Sequence, residues 1–351
     1  MASPKGEAPL HEGEAPSAAA AVPPGRIFVF NGDADGLCAQ HILCLELGPP
    51  GLRVTGLKRE IELLARLPAD AAGHVHALDI SLKRNLAALP ALLARGNVRV
   101  TWYDHHEPGD PPAHPALELH VNQAPETCTT AIVNAVYGRR HPLWAAMAAF
   151  GDNLPATAVS LATAAGASAH EAQLLRRAGT LLNYNAYGEI PGDQLFPAAE
   201  LALKMEPFAS ALDFCWEGAV FGPLAAQFEA DQEGFRSLAP LADFPGAKAY
   251  ALPDAPFARR YAATWANELA LERPDEALAV LHGLAEGGYR VSLRSPRRGG
   301  RPASELAGEF GGGGRKLAAG IDALPEAGLE GFLKRFAEFY GETKDQANSS
   351  K

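Results

Sequence analysis

Cysteine is scarce and unpatterned: Cys38, Cys44, Cys128 and Cys215 are the four in 351 residues, with no C-x-x-C pair. That excludes a disulfide scaffold and a thiolate-based zinc site, and it fits reduced thiols in a cytoplasmic protein. Long apolar runs are missing as well. The most apolar stretch, around residues 143–169, is interrupted by Asp152 and Pro155, so no membrane-spanning helix is expected. Positive charge is in deficit, with 31 Lys and Arg against 41 Asp and Glu and a formal net charge of −10. Such a balance does not suit wrapping long duplex nucleic acid, although it leaves room for a local basic channel. Residues 1–25, rich in Ala, Pro and Glu, lack a basic segment followed by an apolar core. They read as a disordered tail rather than a signal peptide, and residues 342–351 read as a second tail. No internal repeat is visible.

What is present is globular in composition, with 47% hydrophobic and 21% charged residues, and long enough for two domains. From residue 26 to about 150, short apolar runs alternate with helical periodicity. Strands are predicted at Arg26–Phe30, Leu52–Gly56, His74–Leu78, Val98–Tyr103 and Leu117–Val121, with helices near 36–47, 59–67 and 83–95. That alternation implies βαβ units and a mostly parallel sheet. Residues 128–235 read mainly as helices, among them "TTAIVNAVYG", "EAQLLRRAGTLLNYNAYG" and "GPLAAQFEADQEGFRSLAPL". A Pro/Gly break at "ADFPGAK" precedes "AKAYALP", "EALAVLHGL", "YRVSLRS" and a helix near 327–340. The expected fold class is α/β. A parallel-sheet domain with a helical extension (26–235) leads through a linker (236–245) to a smaller mixed-sheet domain (246–341), with the site in the cleft between them.

The placement of acidic residues carries the chemistry. Asp33 and Asp35 follow the first strand in "NGDADG", and Asp79 follows the third in "HVHALDIS". Asp104, His105 and His106 follow the fourth in "VRVTWYDHH", and Asp152 sits in "AAFGDN" at a predicted helix end. In a parallel sheet these strand ends share one edge, where ligands bind. Carboxylates with imidazoles and no thiolate suit Mn²⁺ or Mg²⁺, with Zn²⁺ as an alternative. Crowded carboxylates repel one another unless a cation lies among them. Two ions in such a cluster suit phosphate-ester hydrolysis. Singly, each Asp also reads as a turn former or helix cap; their recurrence at successive strand ends favours a site. A calcium loop beginning at Asn31 would put Ile42 where a bidentate Glu is required. A phosphoaspartyl D-x-D-x-T motif would need Thr where Leu37 stands.

In this order, "NGDADG", "LDIS", "YDHH" and "FGDN" resemble the four acidic motifs of the DHH phosphoesterase superfamily. "FGGGGRKLAAG" (310–320) resembles the glycine-rich signature of the DHH-associated C-terminal domain, so the resemblance spans about residues 26–340. The superfamily includes RecJ-type exonucleases, nanoRNases, cyclic-dinucleotide phosphodiesterases and inorganic pyrophosphatases. The resemblance implies a manganese-dependent hydrolase with two ions. Asp33 would bind one and Asp35 the other, Asp79 would bridge them, and His105 and Asp152 would complete the set. Asp104 would act as ligand or support, and His106 would contact the scissile phosphate. Arg294 and Ser295 match a substrate-binding Arg-Ser. Independently, Gly312, Gly313 and Gly314 (with Gly311) can bring backbone N–H groups close to an anion, and Arg315 and Lys316 add charge. A guanidinium suits bidentate phosphate recognition, whereas Arg297, Arg298 and Arg301 fit a solvated basic loop.

Two positions depart from the family. Val29 stands where a metal-binding His is common, four residues before Asp33, which should weaken one ion site. Arg315 stands where the glycine-rich signature usually carries His. His41 is weighed as a replacement ligand and set aside as structural, as are His74 and His76. Tyr184 and Tyr187 in "NYNAYG" are read as helix-terminal packing, with base stacking as the alternative. The expected activity is hydrolysis of short single-stranded oligonucleotides or a related small phosphodiester, without membrane or long-duplex binding; homodimerisation is left open. Alternatives are a cyclic-dinucleotide or pyrophosphate hydrolase, or a non-hydrolysing nucleotide binder.

Overall fold

The computed structural model describes residues 25–284 and 286–341, so both expected tails lie outside the described residues except for Gly25. The first sheet begins with the apolar strand β1 (Arg26–Phe30), followed by α1 (Ala34–Leu47), β2 (Leu52–Val54) and β3 (Gly73–Leu78). Then come α2 (Leu82–Asn85), α3 (Leu89–Leu93), β4 (Val98–Asp104) and β5 (Leu117–Val121). The strands lie in the order β2-β1-β3-β4-β5 and every pairing is parallel. Parallel pairing buries both faces, and the alternation of β1 shows it. Ile27 and Val29 enter one apolar layer with Val54, Val75 and Trp102, while Phe28 and Phe30 enter another with Leu37 and Trp144.

Two helices expected from periodicity form differently. The segment 59–67 contributes only a single 3₁₀ turn at Leu63–Arg66, yet Leu63, Leu64 and Leu67 are still buried. The segment 83–95 is split into α2 and α3 because Pro90, near the start of α3, cannot continue a helix that begins before it. In both cases the apolar spacing identified the buried face while the local backbone was cut short.

The helical extension comprises α4 (Thr129–Val136), α5 (Pro142–Gly151), α6 (Pro155–Ala164), α7 (Ala169–Ala186), α8 (Ala198–Met205), α9 (Ala211–Glu217) and α10 (Phe221–Arg236). Close packing brings the end of α5 against the start of α1. A Cβ on Gly151 would lie 2.4 Å from that of Ala34, so only glycine allows the approach. The second sheet follows: β6 (Ala242–Phe244), β7 (Ala247–Leu252), α11 (Pro256–Glu272), β8 (Ala277–Gly283), β9 (Tyr289–Arg294), α12 (Ala303–Glu309), β10 (Gly313–Gly314), β11 (Ala318–Leu324) and α13 (Leu329–Gly341). Its order is β10-β11-β9-β8-β7-β6, with only β7 and β8 parallel. The architecture is therefore the expected pair: a parallel α/β unit with helices, and a smaller mixed-sheet unit. No helix among the described residues is long and apolar enough to cross a membrane.

The polar contacts that join the units include two clusters. Arg260 on α11 makes a bidentate pair with buried Asp231 on α10, at 2.7 and 2.8 Å, and Tyr184 on α7 donates its hydroxyl to the same carboxylate. Nearer the first sheet, Glu189 bridges Arg59 at 3.3 Å and Arg290 on β9 at 2.5 Å.

Candidate metal centre

The carboxyl ends of β1, β3 and β4 bring the sequence motifs together as parallel topology requires. A cavity of about 290 Å³ is lined by Asn31, Asp33, Lys58, Asp79, His105 and Asp152, with His106 and Ser81 at its wall. Each acidic side chain is held by a distinct local device. Asp79 has φ +56°, a left-handed conformation that Asp and Asn tolerate better than most residues, and its N–H donates to the Tyr103 carbonyl at the end of β4. Its Oδ1 accepts from Thr129 Oγ1 at 3.1 Å. Both oxygens of Asp35 accept backbone N–H groups at the start of α4, from Thr129 at 2.7 Å and Thr130 at 2.8 Å. Asp152 ends α5, its N–H donating to the Ala148 carbonyl.

His105 supplies the clearest test of whether a cation fits. Its Nδ1 lies 2.9 Å from the Thr127 carbonyl, an acceptor only, so the ring proton belongs there. That leaves the Nε2 lone pair facing Asp79 Oδ1 at 3.5 Å and Asp152 Oδ2 at 3.6 Å. A lone pair between two carboxylates is repulsive, and a divalent cation among the three converts the repulsion into ligation. Ligand atoms of Asp35, His105 and Asp152 lie within 4.8 Å of one another, as do those of Asp79, His105 and His106. The donor set thus fits a hard divalent ion.

The electrostatics agree with that fit. Burial pushes the Asp79 carboxyl well above the usual range, and the charges of Asp33, Asp35, Asp152 and Asp104 push it further. Burial, with Asp35 and Asp33 beside it, raises Asp152 to about 8 against the pull of Lys58 and His106. Buried Asp104 gathers three donors on Oδ1: the N–H groups of His105 and His106 and, at 2.7 Å, His106 Nδ1. That hydrogen bond raises the His106 pKa despite its partial burial. Asp104 Oδ2 is buried and meets no donor among the described residues.

Asp33 differs from its neighbours. Oδ1 caps α1, accepting from the N–H groups of Asp35 at 3.1 Å and Gly36 at 3.0 Å. Oδ2 accepts from Lys58 Nζ at 2.5 Å. Burial would raise this carboxyl, but the Lys58 charge and the hydrogen bonds from Lys58 and Gly36 hold it below the ordinary value. Asp33 lines the cavity but belongs to neither cation-sized group. Lys58 itself was not singled out from sequence. It lies just beyond β2, so the strand-edge logic that located the aspartates would have found it had cations been followed too.

The remaining expectations are placed as follows. Val29 is fully buried in the apolar layer beneath the sheet. His41 bonds the Phe208 carbonyl at 2.7 Å and packs on Trp144, and burial lowers its pKa to about 4; it is structural. His74 bonds Thr101 and stacks on buried His76. Tyr184 is core packing, whereas Tyr187 accepts from Asn183 and lies beside Lys58. Arg294 is not in the acidic cavity; its guanidinium contacts Asn267, Ser292 and the Leu293 carbonyl. Ser295 is buried and donates to the Lys316 carbonyl, tying down the glycine-rich loop. Within that loop the N–H groups of Gly311 and Gly312 are already used on the Gly308 and Ala307 carbonyls, capping α12. A Cβ on Gly312 would lie 2.1 Å from the Gly320 carbonyl oxygen, so hairpin packing accounts for that glycine. Arg315 is exposed. Arg298 and Arg301 pair with Asp275 and Glu305 on the surface.

A twin-unit α/β chain with carboxylates and imidazoles at one parallel-sheet edge defines a class, and solved structures specify it. A manganese-bound RecJ exonuclease superposes with TM-score 0.59 at 21% identity, covering 92% of this chain and 92% of that one. RecJ from Thermus thermophilus, in complex with Mn²⁺, gives 0.58 at 20% identity over 91% of this chain, which spans 52% of the Thermus protein. A pGpG-specific phosphodiesterase from Vibrio, PggH, gives 0.54 at 12% identity, covering 91% and 99%. No family model matches the chain, and no curated protein matches it by sequence. The chain shares the fold of these RecJ and PggH structures.

Proposed function

We propose that the chain is a metal-dependent phosphodiesterase acting on short single-stranded oligonucleotides or a related small phosphodiester. The observation that carries the proposal is the His105 imidazole, oriented by Thr127 so that its lone pair faces Asp79 and Asp152 with Asp35 in reach. Asp35, Asp79, His105 and Asp152 would hold Mn²⁺ or Mg²⁺. Such an ion lowers the pKa of a bound water and offsets phosphoryl charge. Asp104 keeps the His106 proton on Nδ1 and its ring turned to the cavity wall, where raised basicity favours an imidazolium that can pair with a phosphoryl oxygen. Thr129 orients Asp79, and the amides of α4 fix Asp35, so the carboxylates are set before substrate arrives.

The substrate grip belongs, on this proposal, to the second unit. Arg294 and the exposed segment Gly313–Arg315 would contact substrate phosphates, with the short stretch between α10 and β6 as the linker that lets the cleft adjust. The small cavity and the formal charge of −10 favour a short ligand over long duplex.

Turnover of a dinucleotide, a five-nucleotide RNA, a cyclic dinucleotide and pyrophosphate with Mn²⁺, against Asp79→Asn as control, tests the proposal. Preferential cleavage of the linear oligonucleotides supports it. Cleavage of only the cyclic compound or pyrophosphate moves the substrate class, and binding of all four without cleavage makes the protein a nucleotide binder.

A further inference from the structure

The acidic cavity has two unlike halves. On one side the ligand atoms of Asp35, His105 and Asp152 lie within a cation's reach of one another, with Asp79 beside them, and amides of α4 donate to Asp35. On the other, Asp33 is saturated: two amides occupy Oδ1 and the Lys58 ammonium occupies Oδ2 at 2.5 Å. The same ammonium lies 3.8 Å from Asp152 Oδ1. It therefore sits between the two carboxylates that a second ion on this side would have to share.

Lys58 is fixed there by built contacts. Its N–H donates to the Ala186 carbonyl at the end of α7, and its own carbonyl accepts from Asn31 Nδ2 at 3.3 Å. Its Nζ also donates to Asn183 Oδ1 at 3.0 Å, and Asn183 in turn donates to the Tyr187 hydroxyl at 3.2 Å. The Tyr187 ring lies 5.6 Å from the ammonium, within range of a cation–π contact. This explains "NYNAYG" as a holder for Lys58, a role separate from base stacking. Position 29 holds a buried valine of the apolar layer and offers no ligand atom.

We infer that the Lys58 ammonium takes the place of one of the two metal ions, so that the chain binds a single divalent ion through Asp35, Asp79, His105 and Asp152. A fixed monovalent cation offsets Asp33 and Asp152 without dissociating. It also leaves an N–H donor at the cavity for a phosphoryl oxygen. The inference rests on the proposed metal-dependent reading of the same cavity, and its test counts ions rather than turnover.

Mn²⁺ binding is measured on the purified full chain by calorimetry and by electron paramagnetic resonance. The wild type should bind about one ion per chain and show an uncoupled six-line spectrum; Lys58→Ala should bind about two with exchange-broadened, spin-coupled character. Asp33→Asn, which leaves Lys58 in place, should keep the count near one with Mn²⁺ affinity changed less than about threefold. Two coupled ions in the wild type overturn the inference while leaving the phosphodiesterase proposal intact. A count of one in folded Lys58→Ala also overturns it, and so does a large loss of Mn²⁺ affinity in Asp33→Asn. No ion bound to the wild type removes the metal-dependent proposal and the inference together.

Discussion

The two sheets of this molecule treat charge in opposite ways. At the edge of the parallel sheet, Asp33, Asp35, Asp79 and Asp104 are all at most 2% exposed and lie close enough to perturb one another. Around the mixed sheet, the charged residues of the glycine-rich segment are exposed, and the polar groups that are buried there are paired internally. The difference follows from topology. Parallel strands deliver all their carboxyl ends to one edge, so residues scattered through the sequence converge. Antiparallel neighbours alternate direction, so motifs at strand ends separate to opposite edges. A dense carboxylate cluster is thus built into the edge of the first sheet, while the second disperses its charged residues.

The largest effect should come from the convergent edge. Asp79→Asn preserves the residue types tolerated at φ +56° but removes the charge, and turnover with Mn²⁺ should fall by about 10³-fold with the fold intact by circular dichroism. A fall of less than about tenfold would mean that the cluster is not the reactive centre. Next, Asp231→Ala strips buried Arg260 of its bidentate partner where the two units join. Stability to urea should drop by about 3–5 kcal/mol. An unchanged midpoint would show that the units are held by other contacts.

Recognition should be lost more gently. Arg294→Ala should raise KM by about tenfold with kcat little changed, the signature of uniform binding. Arg315→Ala, at an exposed position, should raise it by about threefold or less. Equal losses from the two would erase the distinction between a half-buried and a surface guanidinium.

The last effect concerns the sheet interior. Burial lowers His76 to about 3, and neither ring nitrogen has a hydrogen-bond partner among the described residues. The native state keeps it neutral while the unfolded chain takes up a proton below about pH 6.5, so its contribution is fully present above that pH and lost as pH falls toward 3. His76→Phe should remove about 1.4 kcal/mol of acid destabilisation per pH unit between about pH 5.5 and 4.5. Urea melts at several pH values give the slope, and identical slopes in variant and wild type would mean that His76 is protonated in the native state.

Much of the fold was legible because its signals are local. The run "IFVF" marked β1 and the spacing of Leu117–Val121 marked β5, whereas the Pro/Gly break at "ADFPGAK" falls at the turn between β6 and β7, already inside the second sheet. The helices near 59–67 and 83–95 were misjudged because apolar periodicity reports the buried face. It does not report whether a proline or a turn interrupts the backbone. At the candidate site, the convergence of Asp35, Asp79, His105 and Asp152 was legible because each follows an element that ends at one edge. Lys58 was missed because only acidic groups were followed, and its partners Asp33, Asn183 and Tyr187 are too far apart in sequence to form a motif.

By itself, then, the sequence determined the α/β architecture, the order of the acidic motifs and the choice of hard ligands, since these depend on residue type and periodicity. Only tertiary structure decided which carboxylates remain open. Asp33 and Asp35 stand one residue apart in a short acidic motif, yet an ammonium from beyond β2 pairs with the first, while amides of α4 hold the second within a cation's reach of His105 and Asp152. The physical reason is range. Backbone propensity acts over a few residues, whereas a charge is neutralised by whatever the fold brings within about 4 Å of it.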